Sequence, residues 1–201
     1  MSQKKVSLGA YPYLYPMPTV LVGTFVDNNP NFITVSYVGI VQQFPPMLSV
    51  SLINNHYTNK GIKETKTFSI NIPNRKLLKQ TDFIGMNSGK VIDKASMFDI
   101  FYGDLKTAPL ISETPINLEC KLVDVIDLES NSEIFIGEIV QSWAEKKFLR
   151  RGYPRLKKLD PILFSISSNS YYSIGRRIGR AWHRGLSIPA SKVRRKKFLT
   201  P

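Results

Sequence analysis

Thr19-Val-Leu-Val-Gly-Thr-Phe-Val-Asp-Asn-Asn-Pro-Asn-Phe-Ile-Thr-Val-Ser-Tyr-Val38 decides the class of fold. Thr19 to Val26 is β-branched and apolar, Asp27-Asn-Asn-Pro30 is a turn signal, and Asn31 to Val38 reads as the returning strand of a hairpin. Alternation along that return puts Asn31, Ile33, Val35 and Tyr37 on one side and Phe32, Thr34, Ser36 and Val38 on the other. Neither side is uniformly apolar. Polar groups that interrupt a buried strand must find partners, which can be a ligand or neighbouring backbone.

Outward from this hairpin the β pattern continues. Met47 to Ile53 is a strand entered through Phe44-Pro-Pro46, and Phe68 to Ile72 alternates cleanly. Ile116–Ile126 and Glu133–Trp143 form a long hairpin around Asp127 to Ser132, and Pro161 to Ser167 reads as a last strand. Helical signals are short. Thr58 to Lys66 has Thr58 as its N-cap, Asn74 caps a helix reaching about Phe83, and a further turn covers Ser96 to Phe101. Tyr171 to Ala181 reads as a C-terminal helix. The opening Tyr11-Pro-Tyr-Leu-Tyr-Pro-Met-Pro18 is too proline-dense for a helix or central strand, and reads as an extended arm packing on the body or a partner subunit. These elements predict a mainly β protein, a six-stranded antiparallel Greek-key barrel whose closure removes vulnerable edges. The expected divisions are an arm at 1–18, a barrel domain at 19–182 and a basic tail at 183–201.

A chain of 201 residues, 42% hydrophobic, can bury a core without staples. With Cys120 the only cysteine, intramolecular disulfides and cysteine-based metal clusters are excluded. Met1-Ser-Gln-Lys-Lys5 leads into no apolar h-region, and no apolar run approaches the ~20 residues of a membrane helix, so a soluble cytoplasmic protein is expected. The net charge of +13 is lopsided. Residues 1–145 carry 12 Lys and Arg against 14 acids, whereas residues 146–201 carry 16 against Asp160 alone. Such a basic patch raises encounter rates with nucleic acids, membranes or phosphorylated cofactors.

The candidate site residues are His56-Tyr-Thr58, Ser88-Gly-Lys90 and Asp93-Lys94, taken with the return strand. A hydroxyl at a helix start, with free amides and the positive dipole end, suits a phosphate, although plain capping is the commoner use. Lys94 can pair with that phosphate, although a loop lysine is ordinarily a solvated charge. Ser88 and Gly89 offer a hydroxyl and close backbone approach. Tyr37 leads into Val38-Gly39, where the main chain can approach a flat ring. A phosphate, a polyol and a flat ring together describe flavin mononucleotide (FMN). Gly85-Met-Asn-Ser-Gly89 lacks both the P-loop and the dinucleotide signature. His56 and His183 are far apart with no nucleophile or acid partner, so His56 reads as a loop residue without a catalytic role, and Cys120 as an inert core residue.

The order of these pieces resembles the flavoredoxin-like group of the flavin reductase family. The resemblance is carried by Pro16 to Thr24, Asn31 to Tyr37, Phe44-Pro-Pro46, His56-Tyr-Thr58, Phe68 to Ile72, Gly85 to Gly89, Asp93-Lys94, Ala108 to Lys121, Ile136-Gly-Glu-Ile139 and Tyr171 to Gly179. It implies a split β-barrel that binds FMN. Asn31, Ser36, Tyr37, Val38 and Gly39 would hold the ring and ribityl chain, and Thr58, Ser88, Gly89 and Lys94 the ribityl–phosphate end. It also implies a homodimer with the flavin near the interface. Three positions depart from the family: Tyr37 stands where tryptophan is frequent, Ile84 where many relatives have cysteine, and Ala95 where phenylalanine usually follows the Asp-Lys pair.

The expected activity is electron transfer from NADH or NADPH through FMN to a flavin, metal or protein acceptor. Hydride would pass to flavin N5 with no protein acid or base, so no catalytic residue and no metal site is assigned. An FMN carrier fed by a protein donor is the alternative. A rival of another class is a nucleic-acid-binding barrel using Arg176, Arg177, Arg180, Arg184 and the Lys192–Lys197 run.

Overall fold

Two residues, Ser36 and Tyr37, link strands at opposite edges of one sheet, and that link dictates the architecture. The computed structural model describes residues 4–129 and 131–189. Its principal sheet holds seven antiparallel strands: β1 Val20–Val26, β2 Asn29–Val35, β3 Val38–Gln42, β4 Met47–Ile53, β5 Thr67–Ile72, β6 Ile116–Asp127 and β7 Ser132–Ala144. Their order is β2-β1-β5-β6-β7-β4-β3. Val35 and Val38 are three residue steps apart and can be separated by at most about 11 Å, so the end of β2 and the start of β3 must lie close together and the sheet must curl. β2 and β3 are not hydrogen-bonded neighbours in the sheet, and the barrel is split between them.

The expected unbroken strand from Asn31 to Val38 is therefore two strands. Ser36 turns the chain, and the Tyr37 carbonyl accepts from Ser51 N of β4 at 2.9 Å. The count also rises from the expected six to seven, while the mainly β class stands. The β6–β7 hairpin forms with bulges between Ile136 and Gly137 and between Ile139 and Gln141, which bend its long strands around the barrel.

Inward-facing residues build the core: Val20, Val22, Val50, Leu52, Phe68, Ile70, Cys120 and Phe135 among them. Cys120 is fully buried, and burial pushes its thiol far up. A second cluster, including Leu21, Phe32, Leu77 and Ile84, seats helix α2 (Leu78–Met86) on the other face of β1 and β2. Helix α1 (Tyr57–Thr65) lies on β1 at Gly61, where any side chain would run into the Phe25 carbonyl. Glu119 is buried in the wall, accepting from the amides of Asp104 and Leu105 and from the Trp143 indole at 2.7–3.2 Å.

Two helical expectations are corrected. The N-cap of α1 is His56, and Thr58 sits inside the first turn. Tyr171 to Ala181 is no helix. Strand β8 (Leu163–Ser165) pairs with β9 (Ser170–Tyr172), and irregular chain follows to a 3₁₀ turn at Arg184–Ser187. Asn74 does cap, accepting from Lys76 N at 3.0 Å, but a 3₁₀ turn precedes α2. In the tyrosine-rich segment the amides of Tyr13 and Leu14 donate to the carbonyls of Tyr11 and Pro12 at 2.8 and 2.9 Å, and the Tyr15 hydroxyl donates to Ser167 at 2.8 Å. Lys192–Lys197 lies outside the described residues. No helix among the described residues is long and apolar enough to cross a membrane.

Candidate functional site

Three segments distant in sequence meet at one end of the barrel: the start of β2, the start of α1, and the loop that follows α2. Between them opens a cleft of ≈ 380 Å³ lined by Asn31, Tyr57, Gly89 and Lys94. An adjoining hollow of ≈ 250 Å³ shares those four residues and adds His56, Thr58 and Ser88. Local chemistry fixes the convergence. Asn31 Nδ2 donates to Thr58 Oγ1 at 2.9 Å, joining β2 to α1 while both are buried. Gly89 lies so tightly on β2 that a Cβ there would collide with Asn31 Oδ1. Tyr57 donates to Asp27 at 2.8 Å, and Lys60 pairs with the same carboxylate, anchoring α1 to the β1–β2 turn.

Lys94 is the decisive residue. Its side chain is 4% exposed, and its Nζ donates to the Ile84 carbonyl at 2.9 Å. Among the described residues no carboxylate pairs with it. The adjacent Asp93 accepts instead from the amides of Ala95 and Ser96, at 3.0 and 3.3 Å. Burial alone pushes the Lys94 ammonium down to about 8. An unpaired cation is expensive to bury, and such groups mark functional sites. Lys94, expected to pair with a phosphate, is thus not the solvated charge a loop lysine ordinarily is but one held in a cleft wall.

His56 stands beside it. Burial, then the charge on Lys94, holds its imidazole below the usual histidine range. Its Nδ1 is buried without a hydrogen-bond partner, and its side chain makes no capping bond to α1.

The predicted residues divide into two groups. Asn31, Thr58, Ser88, Gly89 and Lys94 come together in the cleft. Ser36, Tyr37, Val38 and Gly39 do not line it. Ser36 lies 3.5 Å from the Thr19 hydroxyl, Tyr37 is half exposed, and Val38 and Gly39 begin the edge strand β3. Tyr57, Lys90 and His56, part of the sequence pattern but given no binding role there, also line this hollow. The place of His56 directly before a helix is legible in the sequence, but its sharing a hollow with Ser88 and Gly89 is not.

The chain matches the flavin reductase like domain over residues 13–157 and belongs to that family. Among solved structures it is similar to a flavoredoxin from Methanosarcina acetivorans, 38% identical with a TM-score of 0.86, covering 92% of this chain and 98% of that one. Flavoredoxin of Desulfovibrio vulgaris (Miyazaki F) is 36% identical with a TM-score of 0.85, covering 90% of this chain and 100% of that one. An uncharacterized protein from Pyrococcus abyssi is 26% identical over 147 residues, 73% of this chain and 85% of the relative.

Proposed function

We propose that the protein binds FMN in this cleft and works as a flavin reductase-like oxidoreductase. Its electrons would come from NADH or NADPH and leave for a flavin, metal or protein acceptor. The observation that carries the reading is Lys94, a buried cation whose single partner among the described residues is a backbone carbonyl, facing a cleft of hydroxyls and glycine backbone. A phosphate monoester is a dianion with several strong acceptor oxygens, which suits that wall. The orphaned His56 Nδ1 and the close approach at Gly89 also fit a polar, anionic occupant.

Lys94 would hold the phosphate charge, Thr58 and Ser88 would offer hydroxyls, and Asn31 would steady Thr58. Ser36, Tyr37, Val38 and Gly39 would hold the ring. When bound, the flavin supplies hydride and single-electron chemistry of its own. The protein's part is to bind it, orient it and set its surroundings. Similarity to flavoredoxins at 36–38% identity favours a second reading, an FMN carrier loaded by another protein.

An absorption spectrum of the purified protein incubated with FMN, taken without oxygen before and after NADH or NADPH, tests both. Bleaching by either nucleotide is the result expected of the reductase. A flavin spectrum that persists favours the carrier, and failure to retain FMN at all overturns both readings.

A further inference from the structure

His56 serves the start of α1 through its backbone, where its carbonyl accepts from Asn59 N at 3.0 Å. It caps α1 by position, yet its side chain makes no capping bond. Its Nδ1 is buried and unpartnered, whereas the great majority of buried polar atoms have a partner. It borders both the hollow that holds Lys94 and Thr58 and the neighbouring depression lined by Asn59, Lys63 and Lys90. It is close enough to Lys94 to feel its charge. Two nitrogen groups without an anionic partner among the described residues therefore face the same space from different elements, the start of α1 and the loop after α2.

We infer that His56 is a second reader of the bound phosphate, its Nδ1–H donating to a phosphate oxygen beside Lys94 and so making the site specific for a flavin with a terminal phosphate. This rests on the FMN reading above and extends it to a residue outside the expected set. Lys94 offers charge in one direction only. A planar imidazole fixed on a helix start adds a directed donor, which a phosphate can use and a free ribityl hydroxyl uses less strongly. His56 is a positioning and specificity residue and takes no part in electron transfer.

The test compares binding of FMN and riboflavin to wild-type protein, His56→Phe and His56→Gln by fluorescence quenching. Loss of a hydrogen bond to a charged group should weaken FMN binding by about ten- to a hundredfold. His56→Phe should show that loss for FMN with riboflavin unchanged, and His56→Gln, which keeps a donor, should recover part of it. Equal losses for both flavins, or no loss for either, would overturn the inference. A readout independent of folding variants comes from the chain's two histidines. In a ¹⁵N-histidine spectrum the His56 ring signal should move with FMN and stay with riboflavin, and His183→Gln assigns the pair. If the His56 signal ignores FMN while FMN still outbinds riboflavin, His56 is excluded and the phosphate reading survives. If wild-type protein binds both flavins alike, the phosphate reading itself falls and this inference with it.

Discussion

Lys94 shows what a binding group costs before its ligand arrives. Its ammonium titrates near 8 when folded, against 10.5 for a free lysine. Between those values the unfolded chain holds more proton, so the ligand-free protein should gain stability as pH rises from about 8 to 10.5. Below 8 the full penalty is present. The shift corresponds to about 3 kcal/mol, and leaving the Ile84 carbonyl without its donor costs about 1 kcal/mol. Lys94→Met should therefore stabilise the ligand-free protein by about 2 kcal/mol, which raises the melting temperature of a chain this size by roughly 4–8 °C. The same change should weaken FMN by about ten- to a hundredfold while sparing riboflavin. In the wild type FMN affinity should hold steady from pH 7 to 8 and fall above it, and in the variant that fall should vanish. Calorimetry and a pH series of binding titrations check each part; a variant no more stable than wild type would contradict the burial cost. The sequence offered Lys94 as a phosphate partner but not its burial, because a lysine between Asp93 and Ala95 carries no local mark of burial. The α2 loop, closing over β2 at Gly89, creates it.

At the scale of the element, legibility followed how local the determining forces were. The β6–β7 hairpin could be read to within a residue or two at each end, because alternation and a polar turn are local signals. The break after Val35 could not be read, because it comes from closing the sheet, and nothing in Val35-Ser-Tyr-Val38 announces a change of edge. In sequence, Tyr171 to Ala181 reads as a helix. Glycines at 175 and 179 weaken one by about 1 kcal/mol each, and strand pairing takes Ser170–Tyr172 instead. The Phe164–Tyr171 ring contact at 5.7 Å and a Tyr171 hydrogen bond to Asp82 at 2.9 Å hold that pairing. Helix α1 offers the sharpest test. Gly61→Ala gains about 1 kcal/mol of helix propensity, but its methyl would meet the Phe25 carbonyl, a backbone atom that cannot swing aside. Overpacking of this kind costs about 1–3 kcal/mol. Net destabilisation is expected in urea denaturation, together with weaker FMN binding, since α1 carries Thr58 and follows His56. Unchanged stability would mean that α1 can slide on β1 without loss.

For the whole molecule, the half of the expected site that does not line the cleft and a strip of exposed apolar side chains fall on the same edge. Tyr37, Val38 and Gly39 lead into β3, the last strand of the sheet, where Ile40 and Val41 are 72% and 51% exposed and Phe44 just beyond is 82% exposed. An exposed apolar edge strand invites pairing with another chain. The N-terminal arm carries further exposed apolar residues, Val6, Leu8 and Leu14. On the proposed reading, a second copy laid along this edge would cover the apolar strip and wall in the ring end of the flavin, whereas Lys94, Thr58 and Ser88 would hold the phosphate end from within one chain. The two ends should then respond differently to dissociation. Light scattering should give a mass near twice 22.8 kDa. Ile40→Lys combined with Phe44→Glu should shift that mass toward the monomer, because charges at the centre of an apolar contact are strongly disfavoured. In the monomeric variant the affinity advantage of FMN over riboflavin should persist, since Lys94 and Thr58 are untouched. Affinity for both flavins should drop together, and the flavin absorption bands should move toward those of the free compound in water. A wild-type monomer that binds FMN with shifted bands would refute this division, and would place the ring within one chain alone.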